Sequence, residues 1–593
     1  MFAFPFAGYL QQWQQQQTFW QQWQQSPASS ESALNQALGQ LGSQDWQAFA
    51  THTSQQPESM LLTQLQWFEQ QLQIWQQVAF NDKAEEVIPS DPSDARFKHP
   101  DWQQEAWFSF IRQSYLLFSR MWLDTIENST GLESGAKERL AFFSRQAINA
   151  LSPSNFILSN PELLKLTLEK NGENLIAGLR TLQEDIEASA DVLKIRMTNQ
   201  HAFQVGRDVA TTTGKVVMRN ELFELLQYQA TTDKVASTPM LIVPPFVNKY
   251  YIMDLTPQNS MVKWLVDQGQ TVFLISWRNP GKAQAHVNME DYVTHGVVEA
   301  INAIETITGE HQVNATGYCI GGTVLAMTQA YYRAKRMKAR IKSMSFFTTL
   351  LDFSQPGEIG AYINDPVISA LAVESQKKGY CDGRSLSVTF SLLRENSLYW
   401  NYYIENYLKG KSPMEFDLLY WNSDSTNVAA PTHNFMLREL YLNNKLIDPR
   451  GVKVGGVYID LSKITIPSYF ISTREDHIAL WQGTYRGAKN LNGNITFVLG
   501  ESGHIAGIIN PPAKNKYGYW TNSDMSSDPE TWLAGAERQG GSWWPHWHTW
   551  LAAQSDATEC DARAIGHVEY PALMDAPGNY VRQTLPIIEE ETQ

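Results

Sequence analysis

The chain has 593 residues, a formal net charge of −15 and 43% hydrophobic residues, so it is long enough for about two to four folded units. The negative charge argues against a nucleic-acid partner, and an anionic ligand would need a local basic pocket. Only three cysteines occur, in no spacing typical of a disulfide framework or a zinc site: Cys319, Cys381 and Cys560. These features favour a protein of the reducing cytoplasm.

Residues 1–85 are rich in Gln and Trp and contain no Lys or Arg before Lys83. A signal peptide begins with basic residues, and no apolar run of about 18 residues follows, so we expect neither export by that route nor a membrane span. The aromatic spacing favours amphipathic helices with an apolar face formed by Trp13, Trp20, Trp23, Trp67 and Trp75. The alternatives are a partly disordered tail and a docking surface for an apolar phase or a partner.

A proline-containing linker at about 85–92 precedes residues 94–200, which have helical periodicity and no pattern that suggests chemistry. In residues 201–593 short apolar runs alternate with helical stretches, which predicts an α/β domain with a mainly parallel sheet and a site at the carboxyl ends of its strands. The predicted strands are 240–243, 271–276, 313–316, 343–348, 468–472 and 496–499. An aromatic stretch at about 353–440 interrupts the alternation and predicts an inserted cap.

The most informative stretch is Gly317-Tyr318-Cys319-Ile320-Gly321-Gly322, between a predicted strand and a predicted helix. A Gly-x-nucleophile-x-Gly sequence at such a junction is the nucleophile elbow of α/β-hydrolases, because the tight turn has no room for a Cβ at the flanking positions. Cys319 would be the nucleophile. The pattern is short, and taken alone it fits a small buried cysteine in a tight turn equally well.

A cysteine nucleophile needs a base, and the base needs an acid that orients it. In α/β-hydrolases the order along the chain is nucleophile, acid, histidine. Asp476 and His504 each follow a predicted strand, so we predict a triad of Cys319, Asp476 and His504. His477 is the competing base, but it is adjacent to the acid, and neighbouring side chains do not readily turn toward each other.

An oxyanion hole uses the backbone N–H of the residue after the nucleophile, here Ile320, and a second N–H from the loop after an earlier strand. That loop is Pro244-Pro245-Phe246-Val247-Asn248, in which the two prolines cannot donate. Phe246, Val247 and Asn248 remain as donors, and we choose Val247. The alternative is a rigid turn with no catalytic role.

Further blocks of sequence resemble the polyhydroxyalkanoate synthases of the class I type. These blocks are Val243–Leu255, Ser276–Pro280, Asp417–Asn422, Arg474–His477, Gly503–Gly507 and Gly541–Pro545. The resemblance is strong over about 200–550, moderate over 94–200 and nearly absent over 1–80. It implies an α/β-hydrolase core with an inserted mobile cap, preceded by a mainly helical N-terminal domain.

The resemblance also implies polymerisation of (R)-3-hydroxyacyl-CoA into polyhydroxyalkanoate, by a homodimer that is cytoplasmic and attached to polyester granules. It places the nucleophile, acid and base on Cys319, Asp476 and His504. Coenzyme A would be a leaving group, and we expect no cofactor and no metal. Cysteine suits such a reaction, because acyl transfer from coenzyme A to Cys319 exchanges one thioester for another. The alternatives are a thioesterase or ester hydrolase with water as acceptor, and a non-catalytic granule-coat protein.

Overall fold

The computed structural model describes residues 33–80, 86–189, 193–555 and 558–585. Trp13, Trp20 and Trp23, which we placed on the apolar helical face, lie outside these ranges. Helices of at least six residues in the N-terminal part, α1 to α6, are Ala33–Ser54, Pro57–Ala79, Ala106–Glu127, Ser134–Ala150, Pro161–Glu169 and Glu173–Ala188. Shorter helical turns are Ala95–Phe97, Asp101–Gln104 and Pro153–Asn155.

Helices α1 and α2 each bury one side against the helices that follow. Trp46 of α1 lies 5.9 Å from the ring of Trp122 on α3. The carboxylate of Asp45 pairs with Arg139 of α4 at 2.8 Å. In α2, Ile74 is fully buried in a cluster with Leu117. These two helices are therefore part of a packed unit.

An 11-stranded sheet forms the centre of the rest of the chain. Its strands, β1 to β11, are Gly214–Arg219, Phe223–Tyr228, Met240–Val243, Val272–Trp277, Val313–Tyr318, Ile341–Phe347, Ser468–Thr473, Ile495–Gly500, Gly518–Thr521, Glu537–Gly540 and Met574–Asp575. Their spatial order is β10-β9-β8-β7-β6-β5-β3-β4-β2-β1-β11. Two-stranded pairs outside this sheet are Lys234–Ala236 with Glu559–Asp561, Tyr380–Cys381 with Val428–Ala429, and Lys453–Val454 with Val457–Tyr458.

Strands β3 to β8 are parallel and correspond to the six predicted strands. The α/β class is thus confirmed, but the sheet is mixed rather than mainly parallel, because the outer strands pair antiparallel. The parallel strands are almost entirely buried on both faces, which explains the continuous apolar sequence of β3 and the largely apolar sequence of β4. Their carboxyl ends lie at one edge, which is where the predicted catalytic residues follow β5, β7 and β8.

Helices α7 to α16, again of at least six residues, are Met261–Asp267, Val298–Thr308, Ile320–Ala334, Asp365–Lys378, Gly383–Leu392, Asp417–Ser423, Ala430–Phe435, Trp481–Ala488, Pro529–Ala534 and Trp544–Gln554. The π-helical segments are Tyr292–Val297, Asn396–Trp400, Tyr403–Leu408 and Met436–Leu442. The 3₁₀ turns here are Tyr250–Met253, Pro257–Asn259, Lys282–Gln284, Gly357–Tyr362, Lys445–Ile447, Leu461–Lys463, Pro512–Lys514 and Tyr580–Arg582.

Residues 348–467, called the insertion below, connect β6 to β7 and contain the predicted cap. The N-terminal helices pack on this insertion. Arg145 of α4 pairs with Glu358 at 2.7 Å. The Tyr407 hydroxyl donates to Asp185 of α6 at 2.5 Å. Among the helices in the described ranges, none combines the length and hydrophobicity needed to cross a bilayer.

Candidate active site

Cys319 occupies the turn between strand β5 and helix α9. Its backbone has φ 51° and ψ −126°, a conformation that side-chain-bearing residues rarely adopt. The Cys319 N–H donates to the Phe347 carbonyl at 2.9 Å, and the Cys319 carbonyl accepts from Gly322 N–H at 2.9 Å. The half-buried Cys319 is therefore held by backbone bonds on both sides, in the geometry expected of a nucleophile elbow.

The glycines around Cys319 are required by close backbone contacts. A Cβ on Gly317 would overlap the backbone of Gly322. A Cβ on Gly321 would overlap the carbonyl oxygens of Val243 and Pro244, at the end of β3. The elbow is thus packed directly against the loop in which we placed the second oxyanion donor.

Asp476 and His504 meet above the carboxyl ends of β7 and β8. The His504 Nδ1 and Asp476 Oδ2 atoms are 2.7 Å apart. The other carboxylate oxygen of Asp476 accepts the N–H groups of Ile478 and Ala479 at 2.8 and 2.9 Å. Both oxygens of this buried carboxylate are engaged, so its orientation toward His504 is fixed.

The His504 imidazole also interacts with Cys319, so the three predicted triad residues come together. Burial alone would lower the pKa of His504, but the charge and hydrogen bonding of Asp476 and Cys319 outweigh it and raise the pKa to about 10. The Tyr318 ring stacks on this imidazole at 5.6 Å, and its hydroxyl donates to the His504 carbonyl at 2.9 Å. A protonated His504 can stabilise a cysteine thiolate, which is the attacking form of the side chain.

His477 lies in a different electrostatic environment from His504. Burial, together with the positive charge of Arg394, lowers the pKa of His477 to about 4. In the described part of the chain, the Asp476 carboxylate forms hydrogen bonds with His504 and with two backbone N–H groups. His477 is therefore a neutral imidazole at neutral pH, next to Asp476 in the chain but outside the hydrogen-bonded pair of Asp476 and His504.

We expect the stability that His504 contributes to depend on pH. Because its pKa is about 10 in the folded chain against 6.5 for an ordinary histidine, this stability is fully present below about pH 6.5 and is lost as the pH rises to 10. The free energy of unfolding of the wild type relative to His504→Gln should fall by at most about 1.4 kcal/mol per pH unit over that interval. Urea unfolding of both proteins at pH 6 and pH 10 measures it.

His477→Gln is the matched control for this experiment. The pKa of His477 is about 4 in the folded chain, below the pKa of 6.5 of an ordinary histidine, so His477 is neutral in the folded and the unfolded chain above about pH 7.5. The difference in the free energy of unfolding between His477→Gln and the wild type should stay constant between pH 8 and pH 10. A His504→Gln difference that is equally constant from pH 6 to pH 10 would contradict the raised pKa of His504.

The predicted oxyanion loop lies beside the elbow, and the structure excludes one of the three N–H groups that we considered as its donor. The Asn248 N–H donates to the Thr426 hydroxyl at 2.6 Å, so this N–H is occupied. The Val247 N–H donates to no acceptor in the described part of the chain. Ile320 is the first residue of α9, where an N–H has no partner within the helix. Within the described ranges the N–H groups of Ile320, Phe246 and Val247 thus have no acceptor, and Asn248 is excluded as the second predicted donor.

A cleft of about 670 Å³ lies beside the loops that carry the acid and the base. Its lining residues are Arg474, Glu475, Glu501, Ser502, Tyr517, Trp520 and Arg538. Two guanidinium groups, of Arg474 and Arg538, lie 5.6 and 5.9 Å from the Trp520 ring. Arg538 is paired with Glu501 at 2.7 Å. The sequence contained no signal for this cleft, because Trp520 and Arg538 lie on the unpredicted strands β9 and β10.

Two further residues contact the predicted site without having been predicted. Tyr318 packs on His504, and Thr426 binds the oxyanion loop from the insertion. Tyr318 stands at an unspecified position of the elbow motif, which does not predict its side chain, and Thr426 lies outside the predicted motifs and many residues away from the loop. In the described ranges, no group of three or more His, Cys, Asp or Glu side chains could hold a metal ion.

Two protein-family models together match residues 93–511 of the chain. The family model for the poly-beta-hydroxybutyrate polymerase (PhaC) N-terminus matches residues 93–265, and the model for the alpha/beta hydrolase fold matches residues 238–511. The second match confirms the predicted α/β-hydrolase core.

Three curated relatives resemble the chain over most of its length. The chain is 44% identical to the poly(3-hydroxyalkanoate) polymerase of Methylorubrum extorquens, over 84% of this chain and 82% of the relative. It is 44% identical to the polymerase subunit PhaC of Rhizobium etli, over 84% and 78%. It is 41% identical to that of Cupriavidus necator, over 86% of each chain. The chain therefore belongs to the poly(3-hydroxyalkanoate) polymerase family.

Proposed function

We propose that the chain is an acyltransferase that polymerises (R)-3-hydroxyacyl-CoA into polyhydroxyalkanoate and releases coenzyme A, with Cys319 carrying the acyl group. The observation that supports it is an elbow cysteine in contact with a buried His504–Asp476 pair, in a member of the polymerase family. No cofactor is part of this proposal, because coenzyme A leaves with every transfer.

In the first half-reaction the Cys319 thiolate attacks the thioester carbonyl. The carbonyl oxygen gains the negative charge and accepts hydrogen bonds from the N–H groups of Ile320 and Val247. The C–S bond to coenzyme A then breaks, and the departing sulfur takes the proton from His504. The product is an acyl thioester on Cys319, which stores the energy for the next transfer.

In the second half-reaction His504 acts as a base. Acylation removes the charge and hydrogen bond of Cys319, which are two of the causes of the raised pKa of His504. The neutral imidazole that results can take the proton from the 3-hydroxyl of another hydroxyacyl unit. That oxygen attacks the Cys319 thioester, an ester bond forms, and the sulfur of Cys319 leaves. Asp476 keeps the imidazole oriented throughout.

Water must be kept from the Cys319 thioester, and we propose this role for the insertion. Burial, together with the charges of Cys319 and Asp476, raises the pKa of the Tyr441 hydroxyl. Its ring packs on Phe353 at 4.9 Å. Aromatic side chains next to the nucleophile favour a hydroxyacyl acceptor over bulk water.

An assay with (R)-3-hydroxybutyryl-CoA tests the function directly. Released coenzyme A and precipitable polyester, measured in the same reaction, should rise together. Coenzyme A release with free 3-hydroxybutyrate in place of polymer would identify a thioesterase with the same triad. Binding of polyester without any coenzyme A release would identify a non-catalytic coat protein.

We further propose a cytoplasmic homodimer attached to polyester granules. The family resemblance supports the dimer and the cytoplasmic location. For granule attachment a second support is an exposed stripe on α2, formed by Leu61, Leu65, Phe68, Leu72 and Trp75, which are between 44% and 57% exposed. These residues alternate in steps of four and three, so they form one helical face. Helix α2 has no Lys or Arg, which suits an uncharged polyester better than an anionic lipid surface.

Replacing Leu65 and Leu72 in the exposed stripe by Gln should weaken co-sedimentation with polyester granules and lengthen the lag before polymer growth. The melting temperature should not change, because these side chains are already exposed to water. The matched control is Leu168→Gln with Leu179→Gln, two residues that are 69% and 64% exposed on α5 and α6. Unchanged co-sedimentation of the stripe variant, or loss of the dimer instead, would refute granule docking through this stripe.

Deletion of residues 1–85 is a poorer test of docking. Phe49 and Ile74 are buried, and Asp45 pairs with Arg139, so removal of α1 and α2 would expose the helices beneath them. Trp67, which we placed on the same apolar face as Trp75, packs instead against the cluster of Ile74 and Leu117, whereas Trp75 is exposed. The truncated chain should therefore be less stable than the full chain, whether or not the exposed stripe binds granules.

A further inference from the structure

A threonine of the insertion binds both neighbours of Val247. The buried hydroxyl of Thr426 accepts the Asn248 N–H at 2.6 Å and donates to the Phe246 carbonyl at 3.0 Å. One side chain thus spans the residue to which we assign the second oxyanion donor. It does so from a point 179 residues later in the chain than Val247.

The bond to Phe246 fixes the direction of the Val247 N–H. The Phe246 carbonyl and the Val247 N–H belong to one planar peptide unit, in which a trans arrangement points them in opposite directions. A hydroxyl that holds this carbonyl therefore turns the Val247 N–H away from Thr426. The bond to Asn248 fixes the next peptide, where the backbone has φ 72°. Without this bond, Asn248 could leave its left-handed conformation, and the loop could then rotate.

Neighbouring residues of the insertion reinforce the same loop. The Trp421 indole donates to the Lys249 carbonyl at 2.6 Å, and Asp424 pairs with the buried Lys249 ammonium at 2.6 Å. On the other side, the Trp277 indole donates to the Pro244 carbonyl at 2.8 Å. The oxyanion loop is thus held between the sheet and the insertion.

We infer that Thr426 is a positioning residue for the oxyanion hole, so that the insertion must be seated on the core for the hole to be complete. The inference rests on the proposed function, because it takes Cys319 as the nucleophile and Val247 as a donor. Thr426 does not touch the substrate. Its effect is on the orientation of the Val247 N–H during formation of the tetrahedral intermediate.

Thr426→Val tests this inference, because valine has nearly the shape of threonine but lacks the hydroxyl. We expect acylation of Cys319 to slow by about 10-fold or more, toward the 10²- to 10³-fold loss that follows removal of an oxyanion donor. KM should change little, and Thr426→Ser should restore most of the rate. Rapid-quench coenzyme A release from (R)-3-hydroxybutyryl-CoA measures it. The p-nitrophenolate burst from p-nitrophenyl acetate gives a second measurement, which an elbow cysteine supports whatever its natural substrate.

Two controls separate positioning from general damage. Thr432→Val removes another buried hydroxyl of the insertion, one that donates to the Val287 carbonyl at 2.9 Å, away from the oxyanion loop. Alkylation of Cys319 by iodoacetamide, followed by mass spectrometry, reports thiolate reactivity in a reaction that forms no oxyanion. Acylation of Cys319 in Thr432→Val should be as fast as in the wild type. Alkylation of Cys319 in Thr426→Val should also be as fast as in the wild type.

Three results would overturn the inference. The first is a wild-type p-nitrophenolate burst from Thr426→Val. The second is an equal loss of acylation in Thr426→Val and Thr432→Val, which would indicate loosening of the whole insertion. The third is slowed alkylation of Cys319 in Thr426→Val, which would place the effect on the nucleophile. Absence of coenzyme A release from the wild type would refute the proposed function instead, and the p-nitrophenyl acetate test would still decide the role of Thr426.

Discussion

Cys319→Ala is expected to abolish coenzyme A release and polymer formation, with a loss of about 10⁴-fold or more. Without the sulfur no acyl thioester forms, and the remaining His504–Asp476 pair has no nucleophile to activate. The melting temperature should stay close to that of the wild type, because the half-buried Cys319 is held by backbone hydrogen bonds that alanine retains. Enzyme assays and thermal unfolding of the same preparation measure both quantities.

Cys319→Ser should be nearly as inactive. The hydroxyl is a weaker nucleophile than the thiolate, and an oxyester on serine lacks the thioester's driving force for the next transfer. Matched controls are Cys381→Ala and Cys560→Ala, two other half-buried free cysteines, which should keep most of the activity. Substantial polymer from a stable Cys319→Ala protein would end the assignment of the nucleophile.

The sequence predicts strands β3 to β8 well, because short buried strands alternate there with helices. Strands β3 to β8 are almost entirely buried, contain no Pro and alternate with helical stretches, and the predicted bounds of each agree with the structure to within a few residues. The outer strands lack this signal. Strand β10 is Glu-Arg-Gln-Gly, and β2 buries Glu224 and Gln227, with Glu224 paired to Arg219. Their pairing is decided by partners distant in the chain.

The candidate site divides in the same way. The elbow has a local cause, since glycines are required where the backbones of β3, β5 and α9 meet, and the acid and base each follow a strand. The contact of Thr426 with Phe246 has no local cause, because it joins residues 180 positions apart. The mistake over Trp67 has a geometric reason. Trp67 and Trp75 are eight residues apart, which turns them by about 80° on an α-helix, so only one lies on the exposed stripe.

The second large effect is expected from His504→Ala. It should slow acylation and elongation by about 10²- to 10⁴-fold, because the variant lacks the imidazole that is bonded to Asp476 at 2.7 Å. His477→Ala is the adjacent control and should keep most of the activity. With a pKa of about 4, His477 is a weak base, so it should accept a proton from a thiol or a hydroxyl far less readily than His504.

Single-turnover coenzyme A release and polymer growth, measured side by side for both histidine variants, decide the assignment. Loss in His504→Ala alone supports His504 as the base for both half-reactions. Equal losses in the two variants, or a greater loss in His477→Ala, would require the base to be reassigned to His477. Loss of elongation with intact acylation in His504→Ala would mean that the Cys319 thiolate forms without help from His504, and that His504 serves only to activate the hydroxyl.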